Sequence, residues 1–142
     1  MDKFVPLSFK KIKFRLENDE PRTIYKLNSF LAQHHLGRIF VDNLFDKFTR
    51  KEQKVILWHE EYHRQHMSRR LILLIKSPFT KYNASQLEEL EADEYSAKKA
   101  GKSCVLSVLK KIKKLEKQGL LKHSIKTHPT TEDRISQIEK LG

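Results

Sequence analysis

The tetrapeptide Thr49-Arg50-Lys51-Glu52 has the form of a capping box, in which a hydroxyl and a carboxylate three residues apart satisfy the first free amides of a helix. The next proline is Pro78, which disfavours helical geometry in the residue before it, so the spacing predicts one long helix from Arg50 to about Lys76. A second box, Ser85-Gln86-Leu87-Glu88, predicts a helix over about 86–100, with Gly101 placed to close it as a left-handed cap. A third helix is expected over about 104–118, where Val105, Leu106, Val108, Leu109, Ile112 and Leu115 form one apolar stripe and Gly119 ends it. The stretch His128-Pro129-Thr130-Thr131-Glu132-Asp133 then leads into a last helix, with Ile135, Ile138 and Leu141 at spacing three.

Upstream of Thr49 the pattern changes. Residues Lys10 to Leu16 alternate apolar and polar, the period of a half-buried strand. Thr23 to Leu27 and Arg38 to Asp42 read as further short strands on either side of a helical turn around Phe30 to His35. At 142 residues the chain is expected to be one domain, strand-rich over 1–48, helical over 49–118, with a C-terminal segment over 119–142.

Composition removes several classes. The longest aliphatic run, Leu71-Ile72-Leu73-Leu74-Ile75, is far short of the ~20 apolar residues that cross a bilayer, so no membrane span is expected. Residues Met1 to Lys13 contain no apolar stretch of signal-peptide length, which makes the cytoplasm the default compartment. Cys104, the one cysteine, cannot form an intramolecular disulfide or a thiolate zinc cluster.

The expected first helix carries Trp58-His59-Glu60-Glu61-Tyr62-His63, which contains the pattern HExxH. Composition predicts such a pattern only about 0.03 times in a chain like this one. Residues four apart on a helix lie one turn apart on one face, so His59 and His63 can direct their imidazoles at one metal ion. Glu60 lies beside the pair, where its carboxylate can take a proton from a metal-bound water and deliver it to a leaving amine.

A catalytic zinc usually takes three protein ligands. His66 shares a stripe with His63 but lies about 10 Å from His59 along the axis, too far for one ion to join all three. The acidic stretch Leu87-Glu88-Glu89-Leu90-Glu91-Ala92-Asp93-Glu94 is the better source, with net charge −5 between Ala84 and Ala97. Glu89 and Asp93, four apart, share a face, so one can bind the ion while the other accepts a hydrogen bond from a ligating imidazole. Charge alone leaves Glu88, Glu91 and Glu94 open as ligands too.

HExxH followed by a second helix bearing ExxxD (Glu89 to Asp93) resembles the gluzincin metallopeptidases. Glu91-Ala92-Asp93 with Ala97 and Gly101, and Thr127-His128-Pro129 followed by Arg134-Ile135, are similar to the CAAX-prenyl-protease and heat-shock membrane-protease branch. Gly37-Arg38-Ile39-Phe40-Val41 resembles the strand that precedes the active-site helix in that family. Lacking membrane segments, the chain looks most like the soluble minimal gluzincins, and the resemblance covers about residues 37–138. It implies one Zn2+ per chain held by His59, His63 and Glu89, Glu60 as general base and acid, and Asp93 supporting a histidine ligand. It also implies latency held by the C-terminal segment. Where the family has small residues after the first His-Glu, this chain has Glu61 and Tyr62.

The expected fold is therefore α+β and zincin-like, a small antiparallel sheet packed on an active-site helix and a glutamate helix, with a helical C-terminal part. By analogy Ile39, Phe40 and Val41 would form an edge strand to which an extended peptide or protein substrate adds. Tyr95, His123 and His128 are the polar candidates to stabilise an oxyanion, and the two histidines are also candidates to block or ligate the metal. That block could act in cis or from a second subunit, giving a homodimer through the C-terminal segment.

Much of the formal charge of +11 lies between Lys98 and Lys126, where ten lysines face one glutamate. This makes a basic nucleic-acid-binding or interaction module, with a structural metal or none, the alternative to a zinc endopeptidase. No aromatic residue interrupts that run, and the lysines lie opposite an apolar stripe, so a solvated face fits better than a nucleic-acid site. Abundant Lys and Glu with a single Cys is also a habit of thermostable proteins.

Overall fold

A computed structural model describes residues 10–15, 21–26, 32–35, 38–41, 43–121 and 128–142, with side chains described from residue 44 onward, Met67 excepted. Among the described residues five α-helices follow Thr49: α1 (Arg50–Gln65), α2 (Arg70–Lys76), α3 (Ala84–Ala100), α4 (Lys102–Lys117) and α5 (Thr131–Glu139). The buried core joins Phe45 and Phe48, in the turns before α1, to Val55, Ile56 and Leu57 of α1, five apolar residues of α4 and Ile138 of α5. Val105, Val108, Leu109, Ile112 and Leu115 are buried as the stripe requires, while Leu106 is only partly covered.

The expected antiparallel α+β arrangement is overturned. The described core is drawn from helices and from the turn that leads into α1, so a helical domain positions the site. The N-terminal backbone runs as β1 (Lys10–Arg15), β2 (Pro21–Lys26), β3 (Ala32–His35) and β4 (Arg38–Val41) in the order β1-β2-β4-β3. That arrangement is not antiparallel, because β4 returns beside β2 in the same direction, pairing Ile24 with Ile39 and Lys26 with Val41. Ala32 to His35, expected in a helical turn, is the strand that pairs antiparallel with β4. Ile39, Phe40 and Val41 therefore lie on an interior strand, with both edges of its backbone paired, and not on an edge open to substrate. Alternation marks a strand but carries no information about which neighbour it takes.

The capping box at Thr49 is present in both directions: Glu52 N–H donates to Thr49 Oγ1 at 3.2 Å and Thr49 N–H to Glu52 Oε1 at 2.8 Å. Glu52 is buried and also accepts from Ser107 Oγ at 2.7 Å and Lys111 Nζ at 2.6 Å, so one carboxylate caps α1 and ties it to α4. Burial alone would raise its pKa, but the bonds from Lys111, Ser107 and Thr49 and the Lys111 charge outweigh it and lower the value from 4.5 to about 2. The resulting stability is complete above pH 4.5 and is lost as the pH falls towards 2, because the folded carboxyl protonates later than the unfolded one. Glu52→Gln is expected to be less stable than wild type by roughly 2 kcal/mol at neutral pH, with the difference shrinking below pH 4.5. Urea unfolding at several pH values checks this, and a pH-independent difference would rule out the ion pair as its source.

The expected long helix breaks at His66, which has φ −116° and ψ 35°. Its ring stacks on Tyr62 with centroids 4.3 Å apart, and its Nδ1 donates at 2.9 Å to the Tyr62 carbonyl, which also accepts the His66 N–H at 2.9 Å. A short 3-10 turn over Met67–Arg69 then restarts the helix as α2. α3 begins two residues earlier than expected, capped by Asn83 and Gln86 and not by Ser85 and Glu88. Gly101 separates α3 from α4 at φ 96° and ψ 143°, a backbone region open essentially to glycine alone and outside the left-handed helical cap expected there.

Candidate metal centre

α1 and α3 pack side by side, and the face α3 turns toward α1 includes the small residues Ala92 and Ser96, both fully buried. Ser96 Oγ donates to the α3 carbonyl of Ala92 at 2.9 Å and lies 3.3 Å from the α1 carbonyl of Val55. These small residues let the two helices approach closely at that point, and HExxH meets the acidic stretch along the same seam.

The Nε2 atoms of His59 and His63 face each other at 3.2 Å, and the Glu89 carboxylate spans them, Oε2 at 2.8 Å from His59 and Oε1 at 3.0 Å from His63. Nδ1 of His59 lies 2.9 Å from Asp93 Oδ1, and Nδ1 of His63 lies 3.0 Å from Glu88 Oε1. Each outer nitrogen thus has a carboxylate to receive its proton, which leaves both Nε2 lone pairs turned to the same point as Glu89. The ligand atoms of His59, His63 and Glu89 all lie within 4.8 Å of one another. Two nitrogens bound to a tetrahedral zinc at about 2.0–2.1 Å stand about 3.3 Å apart, so the spacing of the two imidazole nitrogens matches such an ion, with the Glu89 carboxylate beside them as third donor.

Three carboxylates converge on the imidazole pair, and the cluster calls for positive charge. Burial would push both histidines down, yet the Glu89 charge and the bonds to Asp93 and Glu89 hold His59 up at about 10. The bonds to Glu88 and Glu89 hold His63 at about 9. Glu89 is pushed up by burial but held well below the carboxylate range by the His59 charge and by bonds from His128, His59 and His63. Protons on the imidazoles or a bound cation would answer the same electrostatic demand.

Asp93 is buried and receives a two-pronged bond from Arg134 of α5, Nε to Oδ2 and Nη2 to Oδ1, each at 2.8 Å. Burial raises its pKa, and the Arg134 charge more than reverses this. Glu88 is likewise tied to Arg70 at 3.1 Å. Neither support is legible in the sequence: Arg134 lies 41 residues from Asp93, and charge alone does not separate Glu88 from Glu91 and Glu94.

The structure brings His59, His63, Glu89 and Asp93 together and places Glu60, buried, next to His59 along α1. His128 joins them, its Nδ1 3.3 Å from Glu89 Oε2, at a turn anchored by the fully buried Pro129. Tyr95 does not join them. Its ring packs with Trp58 and Tyr62, and its hydroxyl is 3.5 Å from Gln65 Oε1, so the expectation that it could serve an oxyanion is not supported by its placement. His123 lies outside the described residues.

Glu61 and Tyr62, the bulky residues inside the motif, have structural employment. Glu61 is fully buried and paired with Arg64 and Gln65, and Tyr62 donates to Glu91 Oε1 at 2.7 Å. The lysine face of α4 is partly used in the same way. Lys102 donates to the carbonyls of Glu139 and Leu141, Lys111 to Glu52, and Lys113 lies 3.4 Å from Glu132.

Set against family models, curated proteins and solved structures, the chain matches none of them. Among the described residues, no helix is long and apolar enough to cross a membrane.

Proposed function

We propose that the chain is a zinc-dependent endopeptidase. The observation that carries this reading is the pair of histidine Nε2 atoms 3.2 Å apart, facing one carboxylate, with a carboxylate behind each ring and a buried glutamate directly after the first histidine. His59, His63 and Glu89 would hold the ion, which when bound supplies Lewis-acid polarisation of water and of the scissile carbonyl. Asp93 and Glu88 orient the two rings, and Glu60 accepts the proton of the attacking water and passes it to the leaving amine. The lysines already engaged within the fold weigh against the nucleic-acid alternative. The contact of His128 with Glu89 supports a latent state in which the turn before α5 occupies the space beside the ligands.

Elemental analysis of wild type, His59→Ala and Glu89→Ala after loading with zinc tests the metal assignment. One zinc per wild-type chain, lost in both variants, is the expected result. Retention of zinc by either variant, or a wild type that takes up none, would overturn it.

A further inference from the structure

Ser85 and Glu88 do not cap α3, yet one residue of α2 engages both side chains. Arg70, the first residue of α2, donates from Nη1 to Ser85 Oγ at 2.8 Å, and its Nη2 lies 3.1 Å from Glu88 Oε2. Ser85 and Glu88 are three apart on α3 and share a face, so they offer the planar guanidinium a two-pronged seat. The other oxygen of the same carboxylate, Oε1, is 3.0 Å from His63 Nδ1. Glu88 thus divides its two oxygens between the His63 ring of α1 and an arginine of α2.

We propose that Arg70 is a positioning residue of the metal centre: by holding Glu88 it fixes the ring of His63, so the affinity for the ion depends on a residue that is not itself a donor. The inference rests on the metal-binding part of the reading above. A glutamate side chain ends in a torsion that is broad rather than staggered, so the plane of its carboxylate is set by what binds it. With Arg70 on Oε2, Oε1 is held to His63 Nδ1, and His63 Nε2 is directed at Glu89 and His59. The other ring is backed in the same way, where Arg134 grips Asp93 and Asp93 meets His59 Nδ1. Arg70 differs from Arg134 in being 51% exposed, so its pair with Glu88 adds little to stability and its loss leaves the fold intact.

Charge and positioning predict opposite signs. Removing a positive charge near a cation site favours the cation, so a role confined to charge would make Arg70→Ala bind zinc more tightly. Loss of the seat frees Glu88 and loosens the His63 ring, which weakens the site. Arg69 supplies the comparison. It also fastens α2 to α3, through bonds of 3.0 and 2.8 Å to Glu91, but Glu91 faces Tyr62 and not a ring of the donor set.

The test is the zinc affinity of the full chain, by competition with a chromophoric chelator, for wild type, Arg70→Ala, Arg70→Lys and Arg69→Ala. Arg70→Ala is expected to bind about tenfold more weakly, the lower end of the range for an outer partner of a ligating histidine, with a thermal midpoint little changed. Arg70→Lys should recover part of that loss, because an ammonium reaches Glu88 without the fork that also spans Ser85. Arg69→Ala should bind as wild type does. In a Glu88→Ala background, itself weaker, Arg70→Ala should weaken binding no further. Ser85→Ala, which removes one prong of the seat, provides a smaller loss of the same sign if Arg70→Ala does not fold. Zinc bound by Arg70→Ala as tightly as by wild type, or more tightly, overturns the proposal. So does an equal loss in Arg69→Ala, which would trace the effect to the docking of α2, or a loss from Arg70→Ala that persists without Glu88. A wild type that takes up no zinc would instead remove the metal reading, and this inference with it.

Discussion

Glu60→Gln is expected to keep one zinc per chain and to slow peptide-bond cleavage by about a hundred- to ten-thousand-fold, the range for losing a positioned general acid and base. Glutamine matches the volume of the buried glutamate but cannot accept the proton of an attacking water, so the ligand set stays intact while the proton transfer is lost. The neighbouring Glu61 provides the contrast. It is fully buried with Arg64 and Gln65 as partners, and Glu61→Gln should therefore lower stability without the same loss of turnover per folded chain. Both variants are best assayed on an unstructured protein substrate, in the wild-type background and in His128→Ala, where the contact on Glu89 is removed and a latent wild type cannot mask the effect. Cleavage by Glu60→Gln at the rate of its parent in both backgrounds would dismiss Glu60 as the proton carrier.

What could be read from the sequence was what depends on near neighbours along the chain. The Thr49 cap works across three residues and the α4 stripe across three and four, and both are found where the spacing puts them. The i, i+4 spacings in HExxH and ExxxD likewise put His59 with His63 and Glu89 near Asp93 before any packing is considered. The second cap fails instructively. Glu88 has the right spacing from Ser85, but tertiary partners claim its carboxylate, His63 at 3.0 Å and Arg70 at 3.1 Å, so capping passes to Asn83 and Gln86. The break at His66 is unmarked by any proline or glycine at that point of the chain. Strand order is equally silent, since β4 takes β2 as a parallel neighbour across an intervening strand. Why Glu88 rather than Glu91 or Glu94 sits behind His63 follows from the rotation of α3 against α1, and Glu91 is turned instead to Tyr62 and Arg69.

Arg134 is where fold and site become the same question. It lies 41 residues from Asp93 in sequence, is largely buried, and makes both of its bonds to that carboxylate at 2.8 Å. Removing one partner of a buried ion pair leaves the other charge desolvated, so Arg134→Met is expected to cost about 3–5 kcal/mol in urea unfolding. Replacing both partners, Arg134→Met with Asp93→Leu, should recover much of that loss, because the penalty comes from the stranded charge rather than from a missing attraction. Zinc binding should separate the two roles. Asp93 also receives His59 Nδ1 at 2.9 Å, so the double variant, though refolded, is expected to bind zinc about 10–100-fold more weakly than wild type. Recovered stability together with wild-type zinc affinity would mean that Asp93 serves only the fold. A single variant within about 1 kcal/mol of wild type would mean that the pair is solvated and worth no more than a surface bridge. The same residue bears on latency. α5 carries both Arg134 and the core residue Ile138, so deleting 119–142 would remove part of the folded domain along with any block on the ligands. A substitution confined to His128, which touches Glu89 and stands outside α5, is the change that can relieve the block while leaving the ion pair in place.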